Sequence, residues 1–88
     1  VDPERLAQVD AAEHALRAMG FADSRVGHHG DVARIELGPD DLARAVSPGI
    51  RDRLVTEVTA AGFRFVALDL AGIQSGAFTL PLVEVTRG

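Results

Sequence analysis

The sequence predicts an α+β fold. It is a two-layer sandwich in the order αββααβ, with a small, mainly antiparallel three-stranded sheet covered on one face by helices, plus an extended C-terminal tail. Three observations predict it. Apolar residues recur at helical spacing in two stripes, Leu6, Val9, Ala12, Leu16, Met19 and Ile50, Leu54, Val55, Val58, Ala61. Between the stripes, Ala33, Ile35 and Leu37 alternate with Val32, Arg34 and Glu36, the period-two pattern of a half-buried strand. Each long helical stripe ends in the same pair, Gly20-Phe21 and Gly62-Phe63. Glycine can adopt the left-handed conformation that closes a helix, and the phenylalanine after it can pack back on the last turn.

The elements follow in order. Asp2-Pro3-Glu4 starts the first helix. Asp2 can accept from the free amides, proline suits the first helical position, and Glu4 complements the positive helix end. Residues 24–38 read as a β-hairpin with its turn near His29-Gly30. Gly38-Pro39-Asp40-Asp41 opens a short helix to about Val46, with Asp40 and Asp41 as a capping arrangement. Ser47-Pro48 then restarts the chain as cap plus first helical residue. Residues 64–70 form a third strand, with Val66, Leu68 and Leu70 on one face and Phe65, Ala67 and Asp69 on the other. Residues 71–76 form a loop. Phe78, Leu80 and Leu82 alternate with Thr79 and Pro81, which fits a further strand limited by Pro81 to an edge or an arm. These residues and Val83 and Val85 are expected to support self-association.

Composition narrows the function classes. The chain has 88 residues and 47 % apolar content, which suits one globular domain. Net charge is −4, every basic residue is arginine, and Tyr and Trp are absent. Nucleic-acid binding needs a concentrated basic face and usually stacking aromatics, so it is not expected. With no Cys, the chain has no disulfide, thiolate nucleophile or thiolate metal ligand. No apolar run approaches the ~20 residues that span a bilayer, and no signal peptide is evident. A cytoplasmic, membrane-free domain is expected. The abrupt start at Val1-Asp2-Pro3 suggests one cut from a longer protein.

Several segments carry a resemblance. They are Ala11-Ala12-Glu13, Val32-Ala33-Arg34-Ile35-Glu36-Leu37, and the run from Gly62 to Leu70 leading to Ser75-Gly76. Together they resemble the C-terminal domain of the LarE family of ATP-dependent sacrificial sulfur transferases, within the PP-loop superfamily. The resemblance implies an N-terminal PP-loop domain that adenylates pyridinium biscarboxylate mononucleotide with ATP and Mg²⁺, followed by sulfur transfer for a nickel-pincer cofactor. The family's Ser-Gly-Gly-x-Asp-Ser loop has no counterpart here, so this domain alone is expected to be inactive and to bind no cofactor. Partners implied are that N-terminal domain and other copies of the chain.

Carried over residue by residue, the resemblance makes Arg25 a phosphate contact. It makes Glu13, Glu36 and Asp41 carboxylates at subunit or ion contacts. Two departures reduce positive charge: the family's Arg-x-Arg reads Arg25-Val26-Gly27, and Gln74 stands where Arg is expected. Strand alternation adds Arg34, since Arg25, Arg34, Glu36 and Asp69 fall on the sheet face away from the helices. A solvated polar face with an Arg34–Glu36 surface pair remains an alternative to a binding site. His28 and His29 point to opposite faces and cannot share one metal. As turn residues they are expected to be solvent-exposed, and His14 is expected at the surface or in a subunit contact. No nucleophile–base pair is evident, so no catalytic or metal-ligating residue is assigned. The competing functions are a stand-alone ferredoxin-like or ACT-like small-anion-binding regulatory module and a pure assembly domain.

Overall fold

The computed structural model describes residues 2–73. Its elements are α1 (Pro3–Ala18), β1 (Ser24–His29), β2 (Val32–Leu37), a 3₁₀ turn (Pro39–Asp41), α2 (Leu42–Ala45), α3 (Pro48–Ala60) and β3 (Phe65–Leu68). This is the αββααβ order that the periodicities predict. The expected tail strand, with Phe78, Leu80, Leu82, Val83 and Val85, lies outside the described residues, as do Gln74, Ser75 and Gly76.

Local chemistry sets the element ends. Asp2 Oδ1 accepts from the Glu4 amide at 2.9 Å and the Arg5 amide at 3.4 Å, so the first helix is capped as its sequence suggests. At the other end Gly20 has φ +93°. The Phe21 amide donates to the Leu16 carbonyl and the Gly20 amide to the Arg17 carbonyl, both at 3.0 Å, which is the double bond set of a Schellman motif. Two expected caps differ. The Ser47 hydroxyl donates to the Arg44 carbonyl at 2.7 Å instead of accepting from α3. Neither Asp40 nor Asp41 accepts a capping bond; the Asp41 carboxylate lies 3.8 Å from the Arg44 guanidinium.

The strand order is β1-β2-β3. The hairpin pairs antiparallel, from Ser24↔Leu37 to His29↔Val32. Gly30, at φ +61°, begins its two-residue turn, as a type II′ turn requires. The third strand joins parallel, from Val32↔Phe65 to Ile35↔Leu68, so the sheet is mixed. Parallel pairing follows from the route: two strands linked through helices cross over and run the same way. Past β3 the chain stays beside β2, with the Ile73 amide donating to the Leu37 carbonyl at 2.9 Å. Gly72 makes that approach possible, because a Cβ there would lie 2.9 Å from the Leu37 carbonyl oxygen.

Helices cover one sheet face. Ala12, Leu16, Leu54 and Val58 pack on Val26, Ala33, Ile35 and Leu37, with Phe21 and Phe63 closing the layer. Val66 and Leu68 are half-buried at its edge. Leu70 departs from expectation. It is 81 % exposed, because β3 ends at Leu68 and the chain turns at Asp69. There the Asp69 carboxylate accepts from the Ala71 amide at 2.9 Å.

Ile35 is fully buried on the central strand, so Ile35→Ala should cost about 2–5 kcal/mol. Val55, 44 % exposed, should lose under about 1 kcal/mol on truncation to alanine. Urea unfolding of the two variants checks the ordering.

Candidate functional site: the open sheet face

Strand alternation sends one set of side chains away from the helices. Arg25, Gly27 and His29 lie on this face of β1, and Arg34 and Glu36 on the same face of β2. The register sets Arg25 opposite Glu36 and Gly27 opposite Arg34. The Arg34 guanidinium donates to Glu36 Oε2 at 2.6 Å and lies 3.9 Å from Asp69 Oδ2. The structure therefore brings together Arg25, Arg34, Glu36 and Asp69, the four residues that alternation assigns to one face.

Their environments differ. Glu36 is 6 % exposed and is the one charged residue buried among the described residues. Burial of a carboxylate is tolerated when a cation and hydrogen bonds replace water, which is what Arg34 supplies. Arg34 is thus already neutralised by two carboxylates. Arg25 is exposed, and among the described residues it makes no ion pair or side-chain hydrogen bond. Of the two arginines, Arg25 is the one free to meet an incoming anion.

The remaining candidates lie elsewhere. Glu13, on α1, accepts from the Val26 amide at 3.0 Å. Val26 belongs to the edge strand β1, so this carboxylate caps a backbone group the sheet leaves unpaired. Asp41 sits in the 3₁₀ turn against Arg44. Among the described residues neither makes a hydrogen bond or ion pair with the side chains of Arg25, Arg34, Glu36 or Asp69. His29 is exposed, as expected, but His28 is not. Its ring is half-buried on the helix side, with Nε2 2.7 Å from Gln8 Oε1 and the Phe63 ring 5.1 Å away. The expectation of an exposed His28 fails because the hairpin turn begins only at Gly30, which leaves His28 inside the strand.

Sequence reasoning also missed Arg44. Its guanidinium stacks 3.8 Å over the Phe21 ring and donates to the Met19 carbonyl at 3.3 Å, clasping α2 to the end of α1. No local pattern announces a contact between positions 25 residues apart.

An apolar pocket of about 90 Å³ lies among Ile35, Val46, Leu54, Val55, Val66 and Leu68. A nucleotide needs roughly 300 Å³ or more, so this pocket cannot enclose one. A larger but open groove of about 360 Å³ between α1 and α3 is lined largely by alanines, with His14 and Glu57, and offers no basic side chain to an anion apart from that histidine. The helix starts, Asp2-Pro3 and Ser47-Pro48, offer no glycine-rich phosphate cradle and do not fit ATP with Mg²⁺. Among the described residues no three His, Cys, Asp or Glu side chains cluster as a metal site would require, and no helix is long and apolar enough to cross a membrane.

The Arg34–Glu36 pair should be measurable. A double-mutant cycle with alanine is expected to give a coupling of about 1 kcal/mol, reduced from the buried-pair range because the Arg34 side chain is 46 % exposed. The exposed Arg51–Asp52 pair should give a value near zero.

Comparison with known proteins supports the family that the sequence resembles. No family model matches the chain. It is 42 % identical over 73 residues to the pyridinium-3,5-bisthiocarboxylic acid mononucleotide synthase of Lactiplantibacillus plantarum, covering 83 % of this chain and 26 % of that protein. It is 40 % identical over 81 residues to an uncharacterised protein of Synechocystis sp., covering 92 % of this chain and 30 % of that protein. The chain spans less than a third of the length of either relative. Over that span, it belongs to the LarE family.

Proposed function

We propose that the chain is the substrate-positioning and assembly domain of an ATP-dependent sulfur transferase in nickel-pincer nucleotide cofactor biosynthesis. Its open sheet face receives the anionic part of a mononucleotide. The observation that carries this reading is Arg25: an exposed arginine without an ion pair among the described residues, beside a second arginine already neutralised. The relative's name supplies the ligand class, a pyridinium mononucleotide bearing acid groups. Guanidinium suits such a ligand, because its planar fork bonds phosphate and carboxylate in pairs.

ATP and Mg²⁺ are assigned to the PP-loop domain that the resemblance implies, since the helix starts here do not fit them. The chemical step belongs there too. This domain's contribution is to bind and orient.

The assembly role rests on exposed apolar side chains on β3, just after it and at the end of α2. Phe65 is 54 % exposed, Leu70 81 %, and Val46 55 %. Large exposed apolar side chains suit contact with another protein surface.

The test is binding of nicotinate mononucleotide to the 88-residue chain by calorimetry. Arg25→Ala should weaken it about tenfold or more, the loss of one charge-assisted contact, with an unchanged unfolding midpoint. Equal binding by the variant would return Arg25 to an ordinary surface residue. ATP should not bind in the same assay; submillimolar ATP affinity would overturn the division of labour between domains.

A further inference from the structure

Position 27 is a glycine in the middle of an edge strand, where a missing side chain weakens packing. The place above it is nevertheless taken. His29 lies two residues on and on the same face, and its ring folds back along the strand. A Cβ at position 27 would lie 3.2 Å from His29 Nε2 and 3.5 Å from His29 Cδ2. Across the hairpin Gly27 faces Arg34, and next along β1 stands Arg25. Arg34 is held by Glu36 and Asp69. Among the described residues, neither the Arg25 nor the His29 side chain makes a hydrogen bond or ion pair.

Distance makes the fold-back matter. Side chains four residues apart on a strand stand about 13 Å apart, too far to share one small anion. With its ring above Gly27, His29 comes to about 7 Å from the root of Arg25, one same-face step along the strand. An arginine and an imidazole at that spacing can both reach one tetrahedral group. The imidazole is suited to this, because either neutral tautomer carries one N–H donor and the cation carries two.

We propose that His29, folded over Gly27, is the second donor of the anion site that Arg25 anchors, and that the pair selects a phosphate monoester such as that of a mononucleotide. Gly27 is then a specificity position, since its lack of a side chain gives the imidazole its place. The inference rests on the reading of the open face as the anion surface. The carboxylates on that face, Glu36 and Asp69, are engaged with Arg34 and stand opposite and beside the pair.

The test titrates inorganic phosphate and nicotinate mononucleotide into the 88-residue chain, following the histidine ring resonances by carbon–proton NMR. Both ligands should move the His29 ring signals and leave those of His14, on α1, in place. His29→Ala should weaken binding about three- to tenfold, and His29→Arg should restore it. Gly27→Val, whose side chain takes the ring's place, should lose as much as His29→Ala with its unfolding midpoint unchanged or raised. Two outcomes overturn the proposal. If Arg25→Ala loses binding but His29→Ala and Gly27→Val bind like the parent chain, His29 has no part in a site that otherwise stands. If Arg25→Ala also binds like the parent chain, the open face is not the anion surface and both readings fall.

Discussion

The alternation of β2 is the constraint on which the rest of the molecule depends. It is the central strand, paired on both sides, and five consecutive residues divide cleanly. Ala33, Ile35 and Leu37 turn toward the helices and are fully buried; Arg34 and Glu36 turn away. The apolar triplet is the floor on which Leu16 and Val58 pack. The charged pair organises the opposite face. A slip of β2 by one residue against its neighbours would exchange these sets, placing Arg34 and Glu36 under the helices at prohibitive desolvation cost. Core and candidate site are therefore two consequences of one strand's pattern.

That link explains why the open face can hold charges at fixed positions. An exposed ion pair on a mobile surface contributes little and orders little. Here Glu36 is buried, Arg34 is drawn to it, and Asp69 joins from the turn after β3, where its carboxylate also holds the Ala71 amide. The pairing satisfies Arg34 and leaves Arg25 available. Among the described residues the apolar pocket is too small for a nucleotide and the larger α1–α3 groove is open and lined largely by alanines, so an open face with a free guanidinium is the kind of surface that works against a second one. Both relatives, more than three times as long as the aligned segment, have chain to supply it.

Much of the fold was legible because its signals are local. Asp2-Pro3 and Gly20-Phe21 mark the ends of α1, and alternation assigns Arg25, Arg34, Glu36 and Asp69 to one face. What was not legible depends on contacts distant in sequence. That β3 pairs with β2 and not with β1 is a strand order that no local pattern encodes. The burial of His28 depends on Gln8 and Phe63, and the position of Arg44 on Phe21. Leu70 continued an apolar alternation, but Asp69 turned the chain one residue earlier. Ser47 had the composition of a cap, yet its hydroxyl found the Arg44 carbonyl first. For the site, the family resemblance placed Glu13 and Asp41 among the candidates. In the structure Glu13 lies at the β1 edge and Asp41 pairs with Arg44.

The central claim is that the anion surface lies on the sheet face away from the helices. The most direct measurement is a backbone amide NMR map of the 88-residue chain titrated with nicotinate mononucleotide. The account predicts shifts concentrated at residues 25–29 and 34–36, with the amides of α1 and α3 unmoved. Shifts concentrated in the groove between α1 and α3, or a chain whose spectrum does not change at millimolar ligand, would contradict it.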